Sequence, residues 1–155
     1  MAYELQAVIA QDELLRSASR DVPEARLACL RQGLSLMPMT DQVLHAVTGG
    51  SSAGVLGFRR LPESFEQRLA RWSVAGPVAY VQAEFFGGVG EERAAVWMDG
   101  ALSWGPLDES DSPSLSPLSQ ALRRLGVTPS PGEDEFQAAG LNRHRYTDDW
   151  VSSAT

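Results

Sequence analysis

Few side chains in this 155-residue sequence are equipped for chemistry. Glu84 with Glu91 or Glu92 could supply a pair of carboxylates for acid–base work, one protonated and one ionised. Histidine occurs twice, as His45 and His144, so a Ser-His-Asp or Cys-His constellation must use one of them. No G-x-S-x-G elbow accompanies either. His144 and Asp148 stand four apart and could share a helix face as metal ligands, but no third ligand is suggested nearby. The lone Cys29 cannot build C-x2-C zinc spacing, and it is read as a small core hydrophobe rather than a nucleophile. Gly87-Gly88-Val89-Gly90 invites phosphate binding but does not fit the template. The dinucleotide fingerprint is G-x-G-x-x-G between a strand and a helix, whereas here the spacing is G-G-x-G, a strand follows, and Glu91 and Glu92 stand where a phosphate would approach. Lysine is absent and all thirteen basic residues are arginine, which removes Schiff-base catalysis and a Walker lysine. No catalytic residue, metal ligand or cofactor is assigned from these residues.

The elements that must position Glu84, Glu91 and Glu92 lie between Pro77 and Pro106. Val78 to Phe86 alternates with period two, the mark of a half-buried strand. Ala79, Val81, Ala83 and Phe85 are expected to face the core, and Tyr80, Gln82 and Glu84 the other side. Ala94 to Met98 is the next strand. Asp99-Gly100 is a two-residue hairpin signal, which would pair Met98 with Ala101, Trp97 with Leu102 and Ala95 with Trp104. Residues 105–117, rich in Pro, Ser and Asp, read as a loop.

Upstream, Tyr3 to Ala10 reads as a strand and Asp12 to Ser17 as a helical turn. Ala25 to Arg31 is a strand candidate with Leu27 and Cys29 on its buried face, and Leu34 to Met37 is a strand ended by Pro38. Thr40 can cap a helix through Val47. Thr48 to Gly57 is a Gly/Ser loop, a connector or a lid. Pro62 opens the longest helix, to Trp72, whose Phe65, Leu69 and Trp72 form a buried stripe. Downstream, Ser116-Pro117 starts a helix closed by Gly126, with Leu118, Leu122 and Leu125 inward. A short helix over Glu133 to Ala139 ends at Gly140. These elements predict an α+β fold: one domain over residues 1–155, with a mixed, mostly antiparallel sheet of about five strands covered by helices. Residues 147–155 are read as a candidate disordered tail.

Composition narrows the function classes. The chain is 43% hydrophobic and 21% charged, as an ordinary globular protein is. No apolar run is long enough for a membrane span, and the N-terminus lacks the basic and apolar regions of a signal peptide. A single cysteine fits a reducing cytoplasm. The net charge is −7. Residues 1–76 hold eight acids against eight arginines, while residues 77–155 hold twelve acids against five arginines and carry the whole excess. That asymmetry argues against binding nucleic acid, which needs a basic footprint, and suits a basic protein partner. An acidic face also serves plain solubility.

The run Tyr80-Val81-Gln82-Ala83-Glu84-Phe85-Phe86-Gly87-Gly88-Val89-Gly90, with Ala94-Ala95-Val96-Trp97, resembles a segment of small actinobacterial proteins akin to immunity proteins of polymorphic-toxin systems. The opening Tyr3-Glu4-Leu5-Gln6-Ala7-Val8-Ile9-Ala10 and the stretch Gln32 to Asp41 share the resemblance. It covers about a quarter of the chain and implies a cytoplasmic binding protein without an active site.

The expected function is therefore a non-enzymatic module whose acidic surface binds a basic toxin domain, such as a nuclease. Its contact residues are Tyr80, Gln82, Glu84, Glu91 and Glu92, with Asp108, Glu109 and Asp111 as a rim. The alternatives are a small hydrolase using Glu84 and a histidine, or a small-ligand sensor closed by the Thr48–Gly57 loop.

Overall fold

A computed structural model describes residues 3–48, 55, 57–58, 61–86, 89–108 and 116–153. Among them, six strands form one sheet in the order β2-β3-β1-β4-β5-β6, with every neighbouring pair antiparallel. The strands are β1 (Tyr3–Gln11), β2 (Ala28–Cys29), β3 (Leu34–Pro38), β4 (Val78–Phe86), β5 (Val89–Met98) and β6 (Ala101–Asp108). The α-helices are α1 (Asp12–Ala18), α2 (Asp41–Thr48), α3 (Glu63–Trp72), α4 (Pro117–Arg124) and α5 (Glu135–Ala139). The fold is α+β, as expected, with one strand more than anticipated; an isolated parallel bridge joins Glu4 of β1 to Tyr146 outside the named strands. No helix among the described residues is long and apolar enough to cross a membrane.

Helices cover both faces of the sheet. On one face Leu5, Ala7, Ile9, Ala79, Val81, Ala94 and Val96 pack against Leu118, Ala121 and Leu122 of α4, Ala138 and Ala139 of α5, and Trp150. On the other, Val8, Ala10, Met37, Val78, Tyr80, Ala95 and Trp97 pack against Leu15 of α1, Val43 of α2 and the stripe Phe65, Leu69 and Trp72 of α3. Burying each large apolar side chain of that stripe contributes about 1.5–3 kcal/mol. The Trp97 indole N–H, buried on this face, donates to Glu66 Oε2 of α3 at 2.9 Å. Helix ends follow the sequence signals. Ser116 accepts from Ser119 N at 3.2 Å, Asp134 and Gln137 form a capping box before α5, and Gly140 ends it at φ +87°.

Four expectations are corrected. The second face of β4 is not open along its length: Tyr80 is fully buried, its ring edge-on to Phe58, and Gln82 is 5% exposed. Cys29 is exposed, since β2 is only two residues long at the sheet edge. β6 continues through Pro106 to Asp108. Register shifts on either side of Val96 put Trp104 opposite Val96 instead of Ala95, and Gly105 takes φ +83°, where a Cβ would meet Ala94 O at 2.6 Å. As the sheet's outer strand, β6 tolerates a proline that has no N–H to pair.

The fourth correction concerns residues 147–153, which form a 3-10 helix and dock. β3 ends at Pro38, so β1 loses that neighbour beyond Ala7. The chain from Arg145 to Thr147 takes its place: Glu4 N donates to Arg145 O at 2.7 Å and Gln6 N to Thr147 Oγ1 at 3.0 Å. Trp150, fully buried, anchors the segment, with the Arg143 guanidinium 5.0 Å and the His144 ring 4.7 Å from its own ring. Trp150→Ala is expected to cost about 3–5 kcal/mol in urea unfolding. A loss under about 1 kcal/mol would return the segment to the status of a tail.

Two carboxylates outside the candidate site contribute stability that depends on their being ionised. The Ser35 hydroxyl and the Arg16 guanidinium hold Asp12 below its ordinary value of 3.8. Burial works to raise Glu135, but hydrogen bonds from Arg123 and from its own backbone, with the Arg123 charge, outweigh it and leave the carboxyl below 4.5. A depressed folded-state pKa gives stability that is complete above the unfolded value and is lost as pH falls through the folded one. Stability is thus expected to fall below the ordinary values of 3.8 and 4.5. In Asp12→Asn and Glu135→Gln, urea midpoints measured against pH should show a shallower acid limb; an unchanged limb in both would refute the assignment.

Candidate functional site: a row of carboxylates at one end of the sheet

Glu84 of β4 stands in register with Glu4 of β1 on one side and Glu91 of β5 on the other. Residues paired directly across strands point to the same face, about 5 Å apart. Three carboxylates therefore line up across three strands, at the end of the sheet that carries the β4–β5 hairpin. One row inward lie Gln6, Gln82 and Arg93, with Asp108 opposite Arg93 in the register. Gln6 and Gln82 are buried; Glu4, Glu84 and Arg93 are half-buried; Glu91 is exposed.

Local contacts fix this row. Thr147, buried at 3% exposure, sits 3.1 Å from both carboxylate oxygens of Glu4 and donates its hydroxyl proton there. Its oxygen meanwhile accepts from Gln6 N. Gly57 lies against Arg93, where a Cβ would come within 2.8 Å of the guanidinium. Gly90 is the second residue of β5, opposite Phe85; a Cβ there would strike Glu84 O at 2.1 Å, so glycine alone fits beside the row.

The expected contact residues part company. Glu84 and Glu91 fall in the row. Tyr80 and Gln82 share its face but lie beneath the surface. Glu92 points to the opposite face, where Oε1 accepts from Leu118 N of α4 at 3.1 Å; a carboxylate is favoured at that helix start. With burial as the main cause, and with Glu4, Glu92 also pushes the Tyr3 phenol far above its ordinary value. Tyr3 donates to Leu141 O at 3.0 Å. Asp108 ends β6, while its side chain, Glu109, Asp111, Gly87, Gly88 and most of the Thr48–Gly57 loop lie outside the described residues. Glu4, Arg93 and Thr147 are additions to the expected set.

The histidines lie elsewhere. His45 is exposed on α2 and lines a groove of about 480 Å³ with Glu24, Asp41, Gln42 and Ala46. His144 packs edge-on against Trp150, a residue of the opposite core layer. Neither belongs to the row that holds Glu84, the placement a Glu84–histidine hydrolase would need. Among the described residues no group of three or more His, Cys, Asp or Glu is arranged to hold a metal ion. What the row offers chemically is attraction for a cation. No protein-family model, curated protein or solved structure matches the chain.

Like charges directly opposite each other destabilise a sheet. Glu91→Gln is expected to stabilise the protein by about 0.5 kcal/mol at low ionic strength, with the gain shrinking at about 0.5 M salt as the repulsion is screened. Urea unfolding at the two salt concentrations checks this. A loss of stability would mean that the row is already neutralised within the fold.

Proposed function

We propose that this protein is a non-enzymatic binding module of the immunity type, acting in the cytoplasm, which neutralises a basic toxin domain through the Glu4–Glu84–Glu91 row. The observation that carries this reading is the row itself: three acids side by side across three strands at one end of the sheet. The charge excess of residues 77–155 supports it, since a negative field speeds encounter with a basic protein. So does the sequence resemblance around Tyr80 to Gly90. A nuclease toxin suits the site in particular, because its phosphate-binding cleft supplies the guanidinium and ammonium groups that the row would meet.

The test is isothermal titration of the full chain against a basic nuclease domain encoded beside it. Association is expected at low salt, weakening at least about tenfold between 50 and 300 mM. The double substitution Glu84→Gln/Glu91→Gln should weaken it further, while Glu13→Gln on α1 should not. Absence of binding at low salt, or binding indifferent to the double substitution, would refute the reading.

A further inference from the structure

The groove beside His45 does not end at α2. A second hollow, of about 290 Å³, is lined by Glu24, Arg26, Thr40, Gln42 and Val151. It shares Glu24 and Gln42 with the groove of about 480 Å³, so the two run together past the first turn of α2. Their charges differ. Asp41 borders the larger hollow, Arg26 the smaller, and Glu24 stands where they meet. Among the described residues neither Glu24 nor Arg26 forms an ion pair or a hydrogen bond, with each other or with a third group. At the Arg26 end lies Thr40, only 6% exposed. Its oxygen accepts from Val43 N at 3.3 Å and so caps α2. Among the described residues its hydroxyl proton has no acceptor, and a buried polar group with an unspent proton is uncommon. The first turn of α2 also presents amides that have no partner within the helix.

We propose that this double hollow binds a free basic amino acid, with its α-carboxylate at Arg26 and Thr40 and its side-chain cation at Glu24. The two ends select the occupant. Arg26, the Thr40 hydroxyl and the helix amides are all donors, and a carboxylate accepts from such a set. Glu24, with Asp41 beyond it, attracts a guanidinium or an ammonium group. An anion alone would meet the repulsion of Glu24, and a cation alone would leave Arg26 and the Thr40 proton unpaired. A ligand charged oppositely at its two ends satisfies both at once. Ala46 and Val151 give apolar contact for the methylenes between those ends. The hollows have the size of small-molecule sites, which combine apolar walls with a few placed polar groups. The inference is independent of the toxin reading, since the hollows are built from α2, the turn at Glu24 and the docked C-terminal segment, and not from the Glu4–Glu84–Glu91 row.

Isothermal titration of the full chain with L-arginine tests this. Saturable binding is expected, with Kd below about 1 mM. Agmatine lacks the carboxylate and L-citrulline lacks the cation, so each should bind at least about tenfold more weakly. Arg26→Gln should bring L-arginine down to the affinity of agmatine, and Glu24→Gln to that of L-citrulline. Both side chains are exposed, so Tm should not move. Thr40→Val removes the helix cap together with the donor; Thr40→Ser keeps both and should bind as the unmodified chain does. If neither L-arginine nor L-lysine binds up to about 10 mM, the proposal is overturned. Agmatine binding as tightly as L-arginine overturns it in favour of a surface that merely attracts cations. L-Arginine binding that neither Arg26→Gln nor Glu24→Gln weakens overturns it in favour of another site.

Discussion

β4 lies between β1 and β5 with Val81 buried on one face and Tyr80 on the other, so the sheet must be covered twice. A chain of 155 residues has few helices to spend on two faces. α4 and α5 take one, and α1, α2 and α3 take the other. Both layers are strongest where side chains are apolar, from Val78 to Val81 and from Ala94 to Trp97. Towards the β4–β5 hairpin, β1 and β4 turn to Gln and Glu, and the polar rows begin. The carboxylate row is thus the place where one core layer stops, on strands held firmly by the layer behind.

That arrangement gives the acids a rigid base. Glu4 is held by Thr147, Glu84 by its place in the central strand, and Glu91 by its pairing to Glu84 beside Gly90, whose lack of a side chain permits the close approach of Glu84 O. Glu91 itself stays exposed, so in its case only the backbone beneath the carboxylate is fixed by the sheet.

Much of the fold was legible in the sequence because its signals are local. The Asp99-Gly100 turn, the Ser116-Pro117 start, the Gly126 and Gly140 stops and the Phe65–Leu69–Trp72 stripe each act within a few residues. The errors share a cause, which is that they depend on what lies across space. Tyr80 and Gln82 alternate with apolar residues as a solvent-facing set would, and only the second layer over that face, Phe58 among it, buries Tyr80. Glu92 stands beside Glu91 in sequence but on the opposite face of a strand, so one acid joins the row and its neighbour caps a helix. Glu4 reads as a polar residue of the first strand until β1 is set beside β4. Trp150, in a segment rich in Asp and Ser, gives no periodic signal, yet it fills a gap left by the early end of β3.

The closure of β1 links residues far apart in the chain: Gln6 and Thr147 are separated by 141 positions. During synthesis, β1 emerges early and cannot complete its hydrogen bonding until the ribosome has passed Trp150. Until then, the outermost part of β1 is an open strand that other nascent chains could engage. Contacts of such long sequence separation also slow folding, because the loop entropy is lost before the contact repays it. A truncation just short of Trp150 would therefore do more than loosen an end; it would leave the sheet permanently in its unfinished, adhesive state and mark the chain for chaperones and proteases.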